Sequence, residues 1–70
     1  MPKLYSSAHI LKVLALHGFV FISQKGSHIK LRKIGDTTLT VIVPANRKET
    51  PIGTFRSILR QSALTEADFK

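Results

Sequence analysis

The chain has 70 residues, 43% of them hydrophobic, and no cysteine, so we expect one small domain without disulfides or thiolate metal sites. Its Lys and Arg residues outnumber Asp and Glu by eleven to four, which gives a net charge of +7. This charge favours nucleic acid as partner; the alternatives are an acidic protein, a membrane surface, or a charge that only keeps a small domain soluble. No apolar run approaches the roughly 20 residues that cross a bilayer and no signal-peptide pattern is present, so we expect a soluble, cytoplasmic protein.

The first element is predicted to be an amphipathic helix over residues 7–17. Three aliphatic residues recur there at helical spacing and fall on one face. Ser6 or Ser7 can supply the N-cap oxygen, and Gly18 stands where a left-handed residue ends a helix. The shared apolar face comprises Ile10, Leu11 and Leu14.

After this helix the hydrophobic period changes to two, which predicts three β-strands at residues 19–24, 28–34 and 38–43. We expect tight turns at residues 25–26 and 35–36, each with a glycine where positive φ is needed. Three consecutive strands with short connections most simply form an antiparallel meander.

The second strand carries a cationic face. His28, Lys30 and Arg32 alternate with Ile29 and Leu31, so the two sets point to opposite sides of the strand. This pattern predicts a strand with one buried face and one positively charged, solvated face.

The C-terminal part contains a basic loop at residues 44–51 and then a second helix, for which Thr54 is the expected cap. Arg56 and Arg60 lie four residues apart and form a stripe beside the apolar face of this helix. A further short turn is expected at residues 64–69. The fold class is therefore α+β, in the order α-β-β-β-α, with two helices on one face of a three-stranded antiparallel sheet. The apolar face of the second helix comprises Phe55, Ile58 and Leu59.

Metal sites and nucleophilic triads are poorly supported by the sequence. His9 and His17 are separated by about 12 Å of helical rise, too far to share an ion. Ser27 and His28 are neighbours on a strand and point to opposite faces. We find neither a nucleophile elbow nor a phosphate-cradling loop.

One histidine beside positive charge is compatible with RNA cleavage. A base can take the proton of the ribose 2′-hydroxyl, which then attacks the adjacent phosphate while cations stabilise the developing charge. His28 is the candidate base because the unperturbed pKa of histidine lies near neutrality. Lys25, Lys30 and Arg32 are candidate phosphate ligands, and the alternative is a surface histidine among solvated charges. The residues alone therefore indicate a basic α/β domain that binds nucleic acid.

Several motifs together resemble one known family. They are GF at residues 18–19, QKGSH at 24–28, VIVP at 41–44, GTFRSILRQ at 53–61 and LTEADF at 64–69. In this order and over nearly the whole chain, they are similar to the HicA toxins, small ribonucleases of bacterial toxin–antitoxin pairs.

This resemblance implies a double-stranded-RNA-binding-domain-like fold over residues 1–70 and metal-independent mRNA cleavage that arrests growth. It places the catalytic histidine at His28, requires no cofactor, and implies a HicB-type antitoxin that covers the active site. A non-catalytic RNA-binding module of the same fold is the alternative. Many family members carry a second histidine where Ile29 stands here, and another just beyond the third strand, where Ala45 and Asn46 stand. The residues expected to bind RNA are Lys25, Gly26, Ser27, Lys30, Arg32, Arg56 and Arg60.

Overall fold

The computed structural model describes residues 3–70 and confirms the α-β-β-β-α order. Its three strands form one antiparallel sheet in the order β1-β2-β3, accompanied by two helices and a final 3-10 turn. Neither helix in this part of the chain has the length and apolarity needed to cross a membrane. The elements are α1 (Ser7–Leu16), β1 (Val20–Lys25), β2 (His28–Lys33), β3 (Leu39–Pro44), α2 (Ile52–Ser62) and the 3-10 turn (Glu66–Phe69).

Both ends of α1 follow from local hydrogen bonding. Ser6 is the N-cap, and its hydroxyl accepts the N–H of His9 at 3.1 Å. At the other end Gly18 has a φ of +92°, which lets the N–H of Phe19 reach back to the Leu14 carbonyl at 3.0 Å. This C-cap ends the helix abruptly and directs Phe19 into the core.

The two connections within the sheet differ in conformation. β1 and β2 are joined by a two-residue turn at 26–27, one residue later than expected, in which Gly26 has a φ of +58°. The prediction of positive φ at Gly35 was wrong. Residues 34–38 form a longer loop between β2 and β3, so the reversal does not depend on a left-handed residue.

The two faces of the sheet are as the strand pattern predicted. Lys30 and Arg32 lie half-buried on the outer face with His28, and the Nε–H of Arg32 donates to the Thr40 hydroxyl at 3.4 Å. The opposite face packs against the helices. The buried side chains of β2 and β3 on that face are Ile29, Leu31, Val41 and Val43.

The second helix begins two residues before its expected cap, so the prediction for Thr54 was wrong. Pro51 is the N-cap, with a φ of −55°, and no side chain caps this end. The proline ring fixes φ close to the helical value and so favours helix initiation there. Phe55 and Ile58 are buried as expected, and Thr54 lies inside the first turn with its side chain half-buried.

An aromatic cluster holds the C-terminal turn against α1. The Nε2–H of His9 donates to the Phe69 carbonyl at 2.6 Å, and the His9 and Tyr5 rings stack with centroids 5.0 Å apart. Phe69 is fully buried and meets the Phe55 ring edge-on at 5.1 Å. These contacts give His9 a structural role.

Candidate functional site

An open cleft of about 280 Å³ lies between α2 and the outer face of the sheet. It exists because α2 runs beside the edge of β3, where Gln61 Oε1 accepts the N–H of Ile42 at 3.0 Å. The cleft is lined by His28, Ile42, Pro44, Arg47, Pro51, Thr54, Ser57 and Gln61.

His28 lies in this cleft because it is the first residue of β2. It is paired with Lys25 of β1 on one side and with Pro44 of β3 on the other. The pairing continues past the strand end, since the N–H of Ala45 donates to the Ser27 carbonyl at 2.7 Å. The backbone is therefore held on both sides while the His28 side chain is exposed. His28 therefore lies directly after the Gly26 turn, at a solvent-accessible position on a strand that is paired on both sides.

Arg47 is a cleft residue that the sequence analysis missed. It belongs to the loop after β3, and its backbone is fixed to the start of α1 through Ser7. The Ser7 hydroxyl donates to the Pro44 carbonyl at 2.5 Å and accepts the Arg47 N–H at 2.9 Å. The Ser7 N–H in turn donates to the Arg47 carbonyl at 2.9 Å. No local periodicity could have revealed this placement, because the contact joins residues that are 40 positions apart.

The α2 wall of the cleft is polar. Thr54, Ser57 and Gln61 occur at i, i+3 and i+7, so they share one face of the helix. The Ser57 hydroxyl accepts a hydrogen bond from Arg60 Nη2 at 3.1 Å, which places the Arg60 guanidinium beside the cleft. Arg56 is exposed and does not line the cleft.

The other predicted RNA-binding residues lie along the hairpin. Lys25 shares the outer face with His28, while Gly26 and Ser27 form the exposed turn next to it. Lys30 and Arg32 follow on the same face, about 7 and 13 Å from His28 at roughly 3.3 Å per residue. None of the cleft-lining residues is acidic. The cleft therefore opens onto a cationic strip formed by Lys25, Lys30 and Arg32, and its charge is compatible with binding of a phosphodiester.

A larger groove of about 450 Å³ lies between the N-terminus of α1, the end of β1 and the loop after β3. Its lining includes Leu11, Ile29 and Ala45, and His28 does not contribute to it. Within residues 3–70, no three His, Cys, Asp or Glu side chains come together as metal ligands.

Comparison with known proteins identifies one family. Residues 7–64 match the family described as HicA toxin of bacterial toxin-antitoxin. No curated protein sequence matches the chain. The matched segment includes every residue that lines the cleft.

Proposed function

The chain belongs to the HicA toxin family of bacterial toxin–antitoxin systems, and we propose that it exerts its toxicity as a metal-independent endoribonuclease that cleaves mRNA at His28. The whole chain acts as one RNA-cleaving domain in the cytoplasm, stops translation and growth, and is neutralised by a HicB-type antitoxin. The observation that carries this proposal is the cleft that joins His28 to Arg47 beside a cationic strip.

His28 acts as the general base in the proposed reaction. It takes the proton of a ribose 2′-hydroxyl, and the 2′ oxygen forms a bond to the adjacent phosphorus. The bond from phosphorus to the 5′ oxygen breaks, and that oxygen takes a proton from solvent. The products are a 2′,3′-cyclic phosphate and a 5′-hydroxyl, and none of these steps requires a metal ion.

Arg47 stabilises the phosphate as its negative charge increases. A guanidinium presents several donors in a planar arrangement that matches two phosphate oxygens. Ser7 fixes the Arg47 backbone, so the side chain starts from a defined position. Thr54 and Ser57 offer hydroxyl groups on the opposite wall.

The flanking cations bind the rest of the RNA strand. Lys25, Lys30 and Arg32 follow the hairpin, and Arg60 extends the positive surface over the α2 wall through Ser57. The residues assigned to RNA binding remain Lys25, Gly26, Ser27, Lys30, Arg32, Arg56 and Arg60. No aromatic side chain lines the cleft, so base stacking contributes little and we expect weak sequence preference.

The positions where many family members carry additional histidines do not weaken this proposal. Ile29 is only 8% exposed and points to the core, on the opposite side of β2 from His28. Ala45 is 9% exposed, and neither Ala45 nor Asn46 lines the cleft. A histidine is therefore not missing from the catalytic face at either position.

The test is cleavage of an end-labelled mRNA in EDTA by the wild type, His28→Ala and Arg47→Ala. We expect a loss of roughly 10²- to 10⁴-fold without His28 and about 10²- to 10³-fold without Arg47. Lys12→Ala removes an exposed positive charge from α1 and serves as the matched control. Equal cleavage by wild type and His28→Ala contradicts the proposal. RNA binding without cleavage by any variant identifies a binding module instead.

A further inference from the structure

The two edges of the sheet are protected to different extents. The β3 edge lies beside α2, and the Gln61 side chain accepts the N–H of Ile42 there. Pro44 at its end has no N–H to offer. Such features prevent a sheet edge from pairing with another chain. All six residues of β1, in contrast, are exposed, and no strand lies on its outer side in the described part of the chain.

The exposed β1 strand is also apolar. Val20, Phe21 and Ile22 are 55%, 61% and 41% exposed. Phe21 is paired with Leu31 and so lies on the helix-covered side of the sheet, but the helices do not extend over β1. No charged residue or proline interrupts the strand before Lys25, and a bulge at Ile22 is its only irregularity. An apolar edge of this kind is a binding site for an added strand.

Charge determines what can bind there. The apolar residues of β1 are bordered by cations, with Arg32 opposite Val20 and Lys25 at the far end. A second copy of the chain brings a further +7 charge to the same border and is repelled. An acidic partner is attracted, and a toxin of this family has an antitoxin as its partner.

We propose that the free edge of β1 is the docking surface for an acidic antitoxin, which adds a strand beside residues 20–24. This inference rests on the toxin role but not on catalysis by His28. Because Lys25 is paired with His28, a strand added to β1 lies two strand spacings from β2, roughly 10 Å. The segment that follows such a strand can then cover the cleft while the anchoring contacts are made elsewhere.

The first experiment measures binding of the protein encoded by the reading frame adjacent to this gene. Phe21→Lys places a charge on the docking edge, and Ile34→Lys makes the same change at a residue that is 78% exposed outside β1. Both variants have a higher positive charge than the wild type, so weaker binding cannot result from a loss of electrostatic attraction to the acidic partner. We expect Phe21→Lys to weaken binding at least tenfold, with RNA cleavage unchanged and Ile34→Lys close to wild type.

The second experiment measures amide hydrogen exchange of the wild-type chain, alone and with that partner. We expect slower exchange over residues 20–24 in the complex, a result that does not depend on any variant. Full binding by Phe21→Lys, or protection confined to residues 26–29 and 44–47, overturns the proposal. A wild-type chain that does not bind this protein overturns it as well. So does a homodimer that Phe21→Lys dissociates without affecting antitoxin binding. Absence of cleavage by the wild type as well as by both variants refutes the proposed function and leaves the binding result interpretable.

Discussion

Replacing Ser7 with alanine tests how the cleft is built. The Ser7 hydroxyl joins the Pro44 carbonyl to the Arg47 N–H, and Ser7 as a residue is only 3% exposed. Without it, both backbone groups lose their partner in a partly buried position. At about 1 kcal/mol for each hydrogen bond, the free energy of unfolding falls by about 2 kcal/mol. For a domain of this size the melting temperature falls by roughly 8 to 16 °C.

The assay combines thermal unfolding, followed by circular dichroism, with RNA cleavage well below the melting temperature. Ser7→Ala should lose part of the cleavage that Arg47→Ala loses, because the Arg47 N–H no longer has its partner and only the bond from the Ser7 N–H to the Arg47 carbonyl remains. Ser23→Ala, on the exposed strand β1, is the control and should change stability by less than about 0.5 kcal/mol. A melting temperature within about 2 °C of wild type, together with full cleavage, refutes this explanation of the cleft.

Two further predictions concern stability. Thr50 is fully buried and its hydroxyl has no hydrogen-bond partner among residues 3–70. Thr50→Val should therefore raise the free energy of unfolding, measured by urea titration, by about 1 kcal/mol. A lower free energy of unfolding in this variant means that the hydroxyl is bonded. Asp68 accepts hydrogen bonds from the backbone N–H and from the hydroxyl of Thr65. These two bonds, the backbone one having the larger effect, hold the pKa of the Asp68 carboxyl below its ordinary value of 3.8. A carboxyl whose pKa is lower in the folded than in the unfolded protein stabilises the fold at pH values above its unfolded-state pKa. This stabilisation is lost as the pH falls through the folded-state pKa. Asp68→Asn should therefore reduce the melting temperature at pH 7 and converge with wild type in acid, and a difference that is independent of pH contradicts this assignment.

Much of the architecture could be predicted because it depends on local patterns. Alternation along β2 separates His28, Lys30 and Arg32 from the core, and the structure keeps that separation. Gly18 ends α1 as expected, because a left-handed residue is needed there whatever packs around it. Errors occurred where a local signal had a competitor. Thr54 is a good capping residue, but Pro51 initiates the helix first.

The sequence by itself determined the element order, the buried faces of α1, β2 and α2, and the cationic strand that begins at His28, since all of these follow from periods of two or 3.6 residues. Only the tertiary structure decided what faces His28. Ser6 and Ser7 are equivalent capping candidates in the sequence, yet in the structure Ser6 caps α1 and Ser7 fixes the loop that carries Arg47. The exposure of β1 was equally hidden, because its apolar residues are typical of a buried strand. Whether such a strand is covered depends on where the helices pack, and that is set by contacts between residues far apart in the chain.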